Sequence, residues 1–134
     1  MKVVIVELFD NIRQEFVQVK AILDTGASKT TIAAHIAKDF GISISDRLFH
    51  HWQANCPLVG NEIDIKIRYN NKTYKIKANC IEIEEKYLRD MLPEEECTRP
   101  ESFHPLNYRI LLGLDFIDSI SQKEKLELFG LITK

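Results

Sequence analysis

The chain has 134 residues, 45% of them hydrophobic and 28% charged, which is the composition of one soluble globular domain that buries about two thirds of its unfolded surface. Its formal net charge of −2 does not indicate a nucleic-acid or anionic-membrane partner. No stretch approaches the roughly 18 apolar residues of a membrane span, and the amino-terminal apolar run is too short for a signal sequence, so we expect a cytoplasmic protein. The cysteines are odd in number and lack CxxC spacing, which predicts free thiols at Cys56, Cys80 and Cys97.

The first two predicted elements are strands that lead to a candidate functional loop. Residues 3–8 are a β-branched run typical of a strand, and Asp10-Asn11 supplies the turn after it. Residues 15–23 alternate between apolar and polar side chains. A second strand therefore runs directly into Asp24.

The loop Asp24-Thr25-Gly26-Ala27-Ser28 places a carboxylate where this strand gives way to a sharp turn. We expect neighbouring backbone N–H groups to hold the Asp24 carboxylate, the Thr25 hydroxyl to lock the turn, and Gly26 to allow another backbone to approach closely. The alternative is purely structural, because Asp-x-Gly at the end of a strand is commonly only a turn.

A helix is predicted after this loop. Residues 32–40 follow a helical period, and Gly41 is placed to end the helix. Either Thr30 or Thr31 is suited to cap its start, which would explain both hydroxyls without a catalytic role.

The middle of the chain predicts an irregular segment and then a hairpin. Residues 48–60 show no regular pattern, whereas residues 62–69 alternate cleanly between apolar and charged side chains. Asn70-Asn71 predicts a tight turn, since asparagine tolerates positive φ. In the return strand the apolar phase changes near Cys80, which indicates either a bulge or burial of both faces.

The last part of the sequence contains an acidic segment and a second apolar strand. Residues 84–107 are interpreted as an insertion between core strands that contains a short helix. Its acidity is typical of a solvated face, and the alternative is that it borders a cleft and favours basic substrates. An apolar strand follows at residues 109–113, then a helical turn at residues 114–120 and a final strand at residues 125–132.

Two motifs in this order resemble the retropepsin family, the retroviral-type aspartic proteases. They are the hydrophobic-Asp-Thr-Gly-Ala-Ser loop and the later Leu111-Leu112-Gly113. The likeness covers roughly the first 83 and the last 27 residues, as judged from period and turn signals. It implies an all-β fold, mainly β with one or two short helices, in which each chain is one lobe with a small closed acid-protease-type barrel. Residues 1–134 would then form one retropepsin-like domain.

The resemblance also implies a homodimer with Asp24 of each chain at the two-fold axis. Thr25 would brace the opposite loop, and Gly26 would lie beside the substrate backbone. Ala27 matches the family pattern as a small residue in a tight space. Ser28 would either bond to the Asp24 carboxylate or end the turn.

By position, residues 48–60 resemble the family's flap, the hairpin that closes over substrate, although they contain a single glycine where retroviral flaps are glycine-rich. Phe49 and Trp52 are the candidate flap and substrate contacts. For Trp52 we favour a place in the core or an interface, because large aromatics contribute mainly buried area. Since chain ends pair across retropepsin dimers, residues 3–8 and 126–132 are candidate interface segments, with addition of the final strand to its own sheet as the alternative.

Peptide hydrolysis by such a site needs two carboxylates around one water. Two carboxylates this close share a proton, so that one acts as base and the other as acid, and activity follows a bell-shaped pH profile that belongs to the pair. The chain has one Asp-Thr-Gly, and Asp115 lies in Gly-Leu-Asp-Phe without the Thr-Gly that would hold it alike. The second carboxylate must come from another copy of the chain. We therefore predict a homodimeric aspartic endopeptidase that acts on peptides or proteins without a cofactor.

Two other interpretations stay open. One is a non-catalytic retropepsin-fold dimer that binds peptides or proteins, and the other is a monomer in which Asp24 is only a turn residue. A metal site at His50, His51 and Cys56 is not expected, because adjacent histidines on an extended chain point to opposite faces and no fourth ligand is suitably spaced.

Overall fold

The computed structural model describes residues 2–53, 56–83 and 106–130. In these ranges the chain is mainly β, with short helices between and after the strands. The strands are β1 (Lys2–Asp10), β2 (Glu15–Leu23), β3 (Thr31–Ala33), β4 (Leu48–Gln53), β5 (Cys56–Tyr69), β6 (Lys72–Ile81) and β7 (Ile110–Leu112). The helices are α1 (Ala34–Asp39), α2 (Leu114–Ile117) and α3 (Gln122–Leu128).

Six of the strands form a closed barrel. They follow the order β1-β2-β7-β3-β6-β5, and β5 returns to β1 through the pairs Glu7↔Arg68 and Leu8↔Ile67. β4 lies outside this ring and pairs antiparallel with β5. The predicted small closed all-β barrel is confirmed.

Tight turns set the register of the two long hairpins. Between β1 and β2, the buried Asp10 carboxylate accepts hydrogen bonds from the N–H groups of Ile12 (2.9 Å) and Arg13 (3.1 Å). Between β5 and β6, Asn70 and Asn71 have φ angles of 53° and 63°. Both are the left-handed conformation that a two-residue hairpin turn requires, as predicted.

The core fills the barrel with side chains from alternate strand positions, among them Leu8, Val19, Ile65 and Ile67. Near the end of β6 the consecutive residues Ala78, Asn79 and Cys80 are all buried. Burial of both faces therefore accounts for the change of apolar phase in this stretch, where β6 pairs with β3 as well as with β5. Burial also raises the pKa of the Cys80 thiol, and the nearby Glu82 carboxylate raises it further.

The helix predicted over residues 32–40 is shorter than expected. Thr31–Ala33 is strand β3, which pairs with β6 on one side and β7 on the other, and α1 begins only at Ala34. The cap at Ala33 has no side-chain hydrogen bond, so the prediction that Thr30 or Thr31 caps the helix is wrong. Gly41 follows the helix with a φ of 63°, as expected for its end.

The final strand predicted at residues 125–132 is also wrong in its described part. Residues 122–128 form helix α3, which begins with a reciprocal capping box: Glu124 N–H donates to the Ser121 hydroxyl, and Ser121 N–H donates to the Glu124 carboxylate. This local signal outweighs the alternation of Leu126 and Leu128. Residues 126–128 are therefore not available as an interface strand.

Two further predictions concern the middle of the chain. Residues 48–53 and 56–60 are regular rather than irregular, because β4 and β5 form an antiparallel ladder from Leu48↔Asn61 to Gln53↔Cys56. The insertion at residues 84–107, including its short helix and Cys97, lies outside the described residues except for 106–107. Across the described ranges, no helix is long and apolar enough to cross a membrane.

Candidate active site

The backbone of Asp24 is fixed where β2 ends. β2 pairs with β7 in parallel, Leu23 opposite Leu112, and the Asp24 N–H continues this ladder by donating to the Leu112 carbonyl at 2.9 Å. The preceding apolar residues, among them Ile22, are fully buried, so the register of the strand is strongly specified. Asp24 itself is only half-buried. A rigid strand thus presents a carboxylate at the surface.

The turn after Asp24 holds this carboxylate from its own backbone. Gly26 N–H donates to Asp24 Oδ1 at 3.0 Å, and Ala27 N–H donates to the Asp24 carbonyl at 3.2 Å. Of the neighbouring N–H groups expected to hold the carboxylate, that of Gly26 does so, whereas that of Ala27 bonds to the Asp24 backbone. Thr25 and Gly26 are exposed at the tip of the turn, whereas Ala27 is fully buried beneath it.

The second glycine motif lies directly behind this loop. Leu114 N–H donates to the Ala27 carbonyl at 2.9 Å. A Cβ atom on Gly113 would lie 2.6 Å from the Lys29 carbonyl carbon and 2.9 Å from the Ala27 carbonyl oxygen, closer than van der Waals contact allows. Glycine is therefore required at 113, because loop backbone occupies the space of a side chain. The structure brings together the two motifs that the sequence analysis paired.

A contact that the sequence analysis missed, between Thr30 and Asp115, joins the two motifs. Thr30 donates to the Asp115 carboxylate twice, from its N–H at 3.0 Å and from its hydroxyl at 2.8 Å. The same hydroxyl accepts the Gly113 N–H at 3.3 Å, and Phe116 N–H donates to Asp115 Oδ1 at 2.8 Å. The Asp115 carboxylate thus accepts hydrogen bonds both from Thr30 and from the first turn of α2. In the sequence, the signal for this role of Asp115 was its position in the first turn of a helix directly after Gly113.

The β4–β5 hairpin reaches the Asp24 loop at Ser28. Ser28 N–H donates to the Trp52 carbonyl at 2.9 Å, and Trp52 N–H donates to the Ser28 hydroxyl at 3.2 Å. The Ser28 hydroxyl also lies 3.4 Å from the Trp52 carbonyl. The structure places the Ser28 hydroxyl on this hairpin, a contact that was not among the roles expected for it.

The two candidate flap aromatics have different environments. The Trp52 side chain is 61% exposed, so its predicted place in the core of this chain is wrong, whereas Phe49 is half-buried. β4 lies outside the closed ring, and alternation turns Leu48, His50 and Trp52 toward solvent together. Contacts of Phe49 and Trp52 with substrate, or of Trp52 with another chain, stay predictions.

No group of three or more His, Cys, Asp or Glu side chains in residues 2–53, 56–83 and 106–130 is arranged to hold a metal ion. His50 is exposed on β4. Among the described residues, the loop presents the Asp24 carboxylate together with the hydroxyl and backbone groups around it.

Neither protein-family models nor curated proteins give a match to the sequence. The resemblance to retropepsins consequently rests on the residues themselves: the Asp24 loop, the glycine strand behind it and their order in the chain.

Proposed function

We propose that the protein is a homodimeric aspartic endopeptidase in which Asp24 of each subunit supplies one member of the catalytic pair. The observation that supports this proposal most directly is that the surrounding backbone holds Asp24 in a defined position. Its carboxylate is held by Gly26 N–H, its strand is laddered to β7, and its loop rests on the backbone of Gly113. A strand from a distant part of the sequence thus helps to position this turn.

In the proposed reaction two Asp24 carboxylates share one proton and one water. The ionised member takes a proton from the water as it attacks the scissile carbonyl, and the protonated member donates to the carbonyl oxygen. The C–N bond of the tetrahedral intermediate then breaks: the member that took the water's proton gives it to the amine nitrogen, and the other member takes back a hydroxyl proton. Thr25 and Gly26 are exposed at the tip of the loop, which makes them available to the partner loop and to the substrate backbone. No cofactor enters this chemistry.

The proposal includes a cover for the substrate. The β4–β5 hairpin is hydrogen-bonded to the Asp24 loop through Ser28 and presents the exposed Trp52 beside it. An extended peptide lying over the loop would meet this hairpin. As further parts of the proposal, we assign a cytoplasmic location and peptide or protein substrates.

One observation favours a second candidate, a non-catalytic dimer that binds peptides. The hydrogen bonds between Ser28 and Trp52 hold the hairpin at the loop, and a hairpin held in one position can bind peptides without the opening and closing of a catalytic cover. The two functions differ in whether Asp24 is needed for bond cleavage.

The test is cleavage of a mixed peptide library, followed by mass spectrometry, with the wild type and Asp24→Asn. The substitution keeps the shape of the side chain but cannot share a proton, so we expect cleavage to fall by about 100-fold to 10,000-fold. Asp46→Asn is the matched control, because it makes the same chemical change at an exposed position outside the loop. Cleavage that persists in Asp24→Asn contradicts the proposal. Peptide binding by a wild type that cleaves nothing favours the binding module.

A further inference from the structure

A cavity opens in the barrel wall where β1 and β5 separate. The two strands pair only at Glu7↔Arg68 and Leu8↔Ile67. Beyond these pairs, Phe9 on β1 stands across a gap from Lys66 on β5, and the cavity in the gap has a volume of about 480 Å³. This is within the range of small-molecule sites in proteins.

The floor of this cavity is apolar. Three buried isoleucines line it, Ile42, Ile65 and Ile76, and the half-buried ring of Phe9 forms one wall. The gap therefore reaches core side chains that a continuous sheet would cover. An apolar ligand body would remove them from water.

The rim of the cavity is positively charged. Lys66, Lys75 and Lys77 line it together with a single carboxylate, Asp64. Lys77 is already neutralised, because its Nζ lies 3.1 Å from Asp64 Oδ1 and 3.5 Å from Glu62 Oε1. The excess positive charge thus belongs to Lys66 and Lys75.

These two lysines face each other in register on β5 and β6. Like charges directly opposite on neighbouring strands destabilise a sheet. Within the described part of the chain neither ammonium has a carboxylate partner, and Lys66 Nζ instead lies 5.1 Å from the centre of the Phe9 ring. An anion between the two lysines would relieve this repulsion.

We propose that the cavity binds a small organic acid, with its anionic group between Lys66 and Lys75 and its apolar body over the isoleucine floor. The site is separate from the candidate active site. Asp24 follows Leu23, which pairs with Lys2 at the far end of β1, and β1 spans roughly 26 Å at the usual rise per residue. The inference therefore does not depend on the proposed protease activity.

Octanoate and anilinonaphthalene sulfonate are suitable probes, because each joins one anionic group to an apolar body. Titration of isotope-labelled protein with octanoate, followed by NMR, should give saturable one-to-one binding. The largest amide shifts should occur at Phe9, Ile65 and Ile76. The sulfonate should gain fluorescence on binding and be displaced by octanoate. Asp24→Asn should bind both probes as the wild type does.

The charge requirement has two independent tests. The double variant Lys66→Gln/Lys75→Gln should weaken octanoate binding by at least about tenfold, whereas Lys2→Gln/Lys123→Gln, which removes two exposed lysines elsewhere, should leave it unchanged. Octanol, which lacks the carboxylate, should bind the wild type at least about tenfold more weakly than octanoate. Absence of saturable binding, largest shifts outside the cavity, or equal binding of octanol would each overturn the proposal.

Discussion

Thr30 and Asp115 are the residues that hold the candidate active site in place. The fully buried Thr30 hydroxyl joins the Gly113 N–H to the Asp115 carboxylate, and the Thr30 N–H adds a second bond to the same group. Because this pair is separated by 85 positions in the sequence, no local pattern predicts it. The Asp24 turn was predictable, since its donor lies only two residues away.

Replacing Thr30 by valine tests this link. The shape of the side chain is kept, but the Gly113 N–H and the Asp115 carboxylate each lose a partner, so we expect the free energy of unfolding to fall by about 1–3 kcal/mol. Thr30→Ser, which keeps the hydroxyl, is the matched control. Urea unfolding measures both variants. A Thr30→Val protein as stable as Thr30→Ser would show that the hydroxyl has no such role.

Glu124 gives the stability of the protein a defined pH dependence. Burial acts to raise the pKa of this carboxyl, but the hydrogen bonds from Ser121 and Asn70 outweigh it and lower the pKa below its ordinary value of 4.5. A carboxyl whose pKa is lower in the folded state stabilises the fold above the unfolded pKa. That contribution is lost as the pH falls through the folded value.

Glu124→Gln should therefore cost stability at neutral pH and progressively less as the pH falls below about 4.5. Urea unfolding at a series of pH values measures the difference from wild type. Glu15→Gln, at an exposed position on β2, is the control. A cost for Glu124→Gln that stays constant from neutral to acid pH would show that the carboxylate charge is not involved.

At the scale of elements, the hairpins follow from sequence and the short elements between them do not. β5 and β6 have a period-two pattern and an Asn-Asn turn, so both strands were predictable. Strand β3 was not predictable, because its three buried residues also fit the helical period of the residues that follow. Their strand conformation follows from pairing with β6 and β7. For α3 the sequence does contain a local signal, because Ser121 and Glu124 have the spacing of a capping box.

The turn of the β5–β6 hairpin offers a test at this scale. Asn71 has a φ of 63°, and a β-branched residue resists this conformation, so Asn71→Val should lower the free energy of unfolding by about 1–2 kcal/mol. Asn71→Gly is the control, because glycine adopts this φ without strain and should preserve stability. Asn70 is left unchanged because its amide donates to Glu124. Equal stability of the valine and glycine variants would contradict the assigned turn.

At the scale of the whole molecule, the barrel places one strand-borne carboxylate beside a glycine strand and the β4–β5 hairpin. The closed ring explains how residues distant in sequence meet there: β7 enters between β2 and β3, which brings Gly113 against the loop between those two strands. The closed barrel was predictable only from the resemblance of the two motifs to the retropepsin family. Catalysis as proposed requires a second copy of the chain to supply the second carboxylate, because the Asp115 carboxylate is hydrogen-bonded to Thr30.

The most direct measurement is a crystal structure of the protein as it assembles in solution, in which the distance between Asp24 carboxylates of neighbouring subunits is determined. The account predicts a two-fold dimer with the two carboxylates about 2.5–3.5 Å apart and an open groove above them beneath the β4–β5 hairpins. Asp24 carboxylates that face solvent singly, or a groove filled by the protein's own residues, would contradict it.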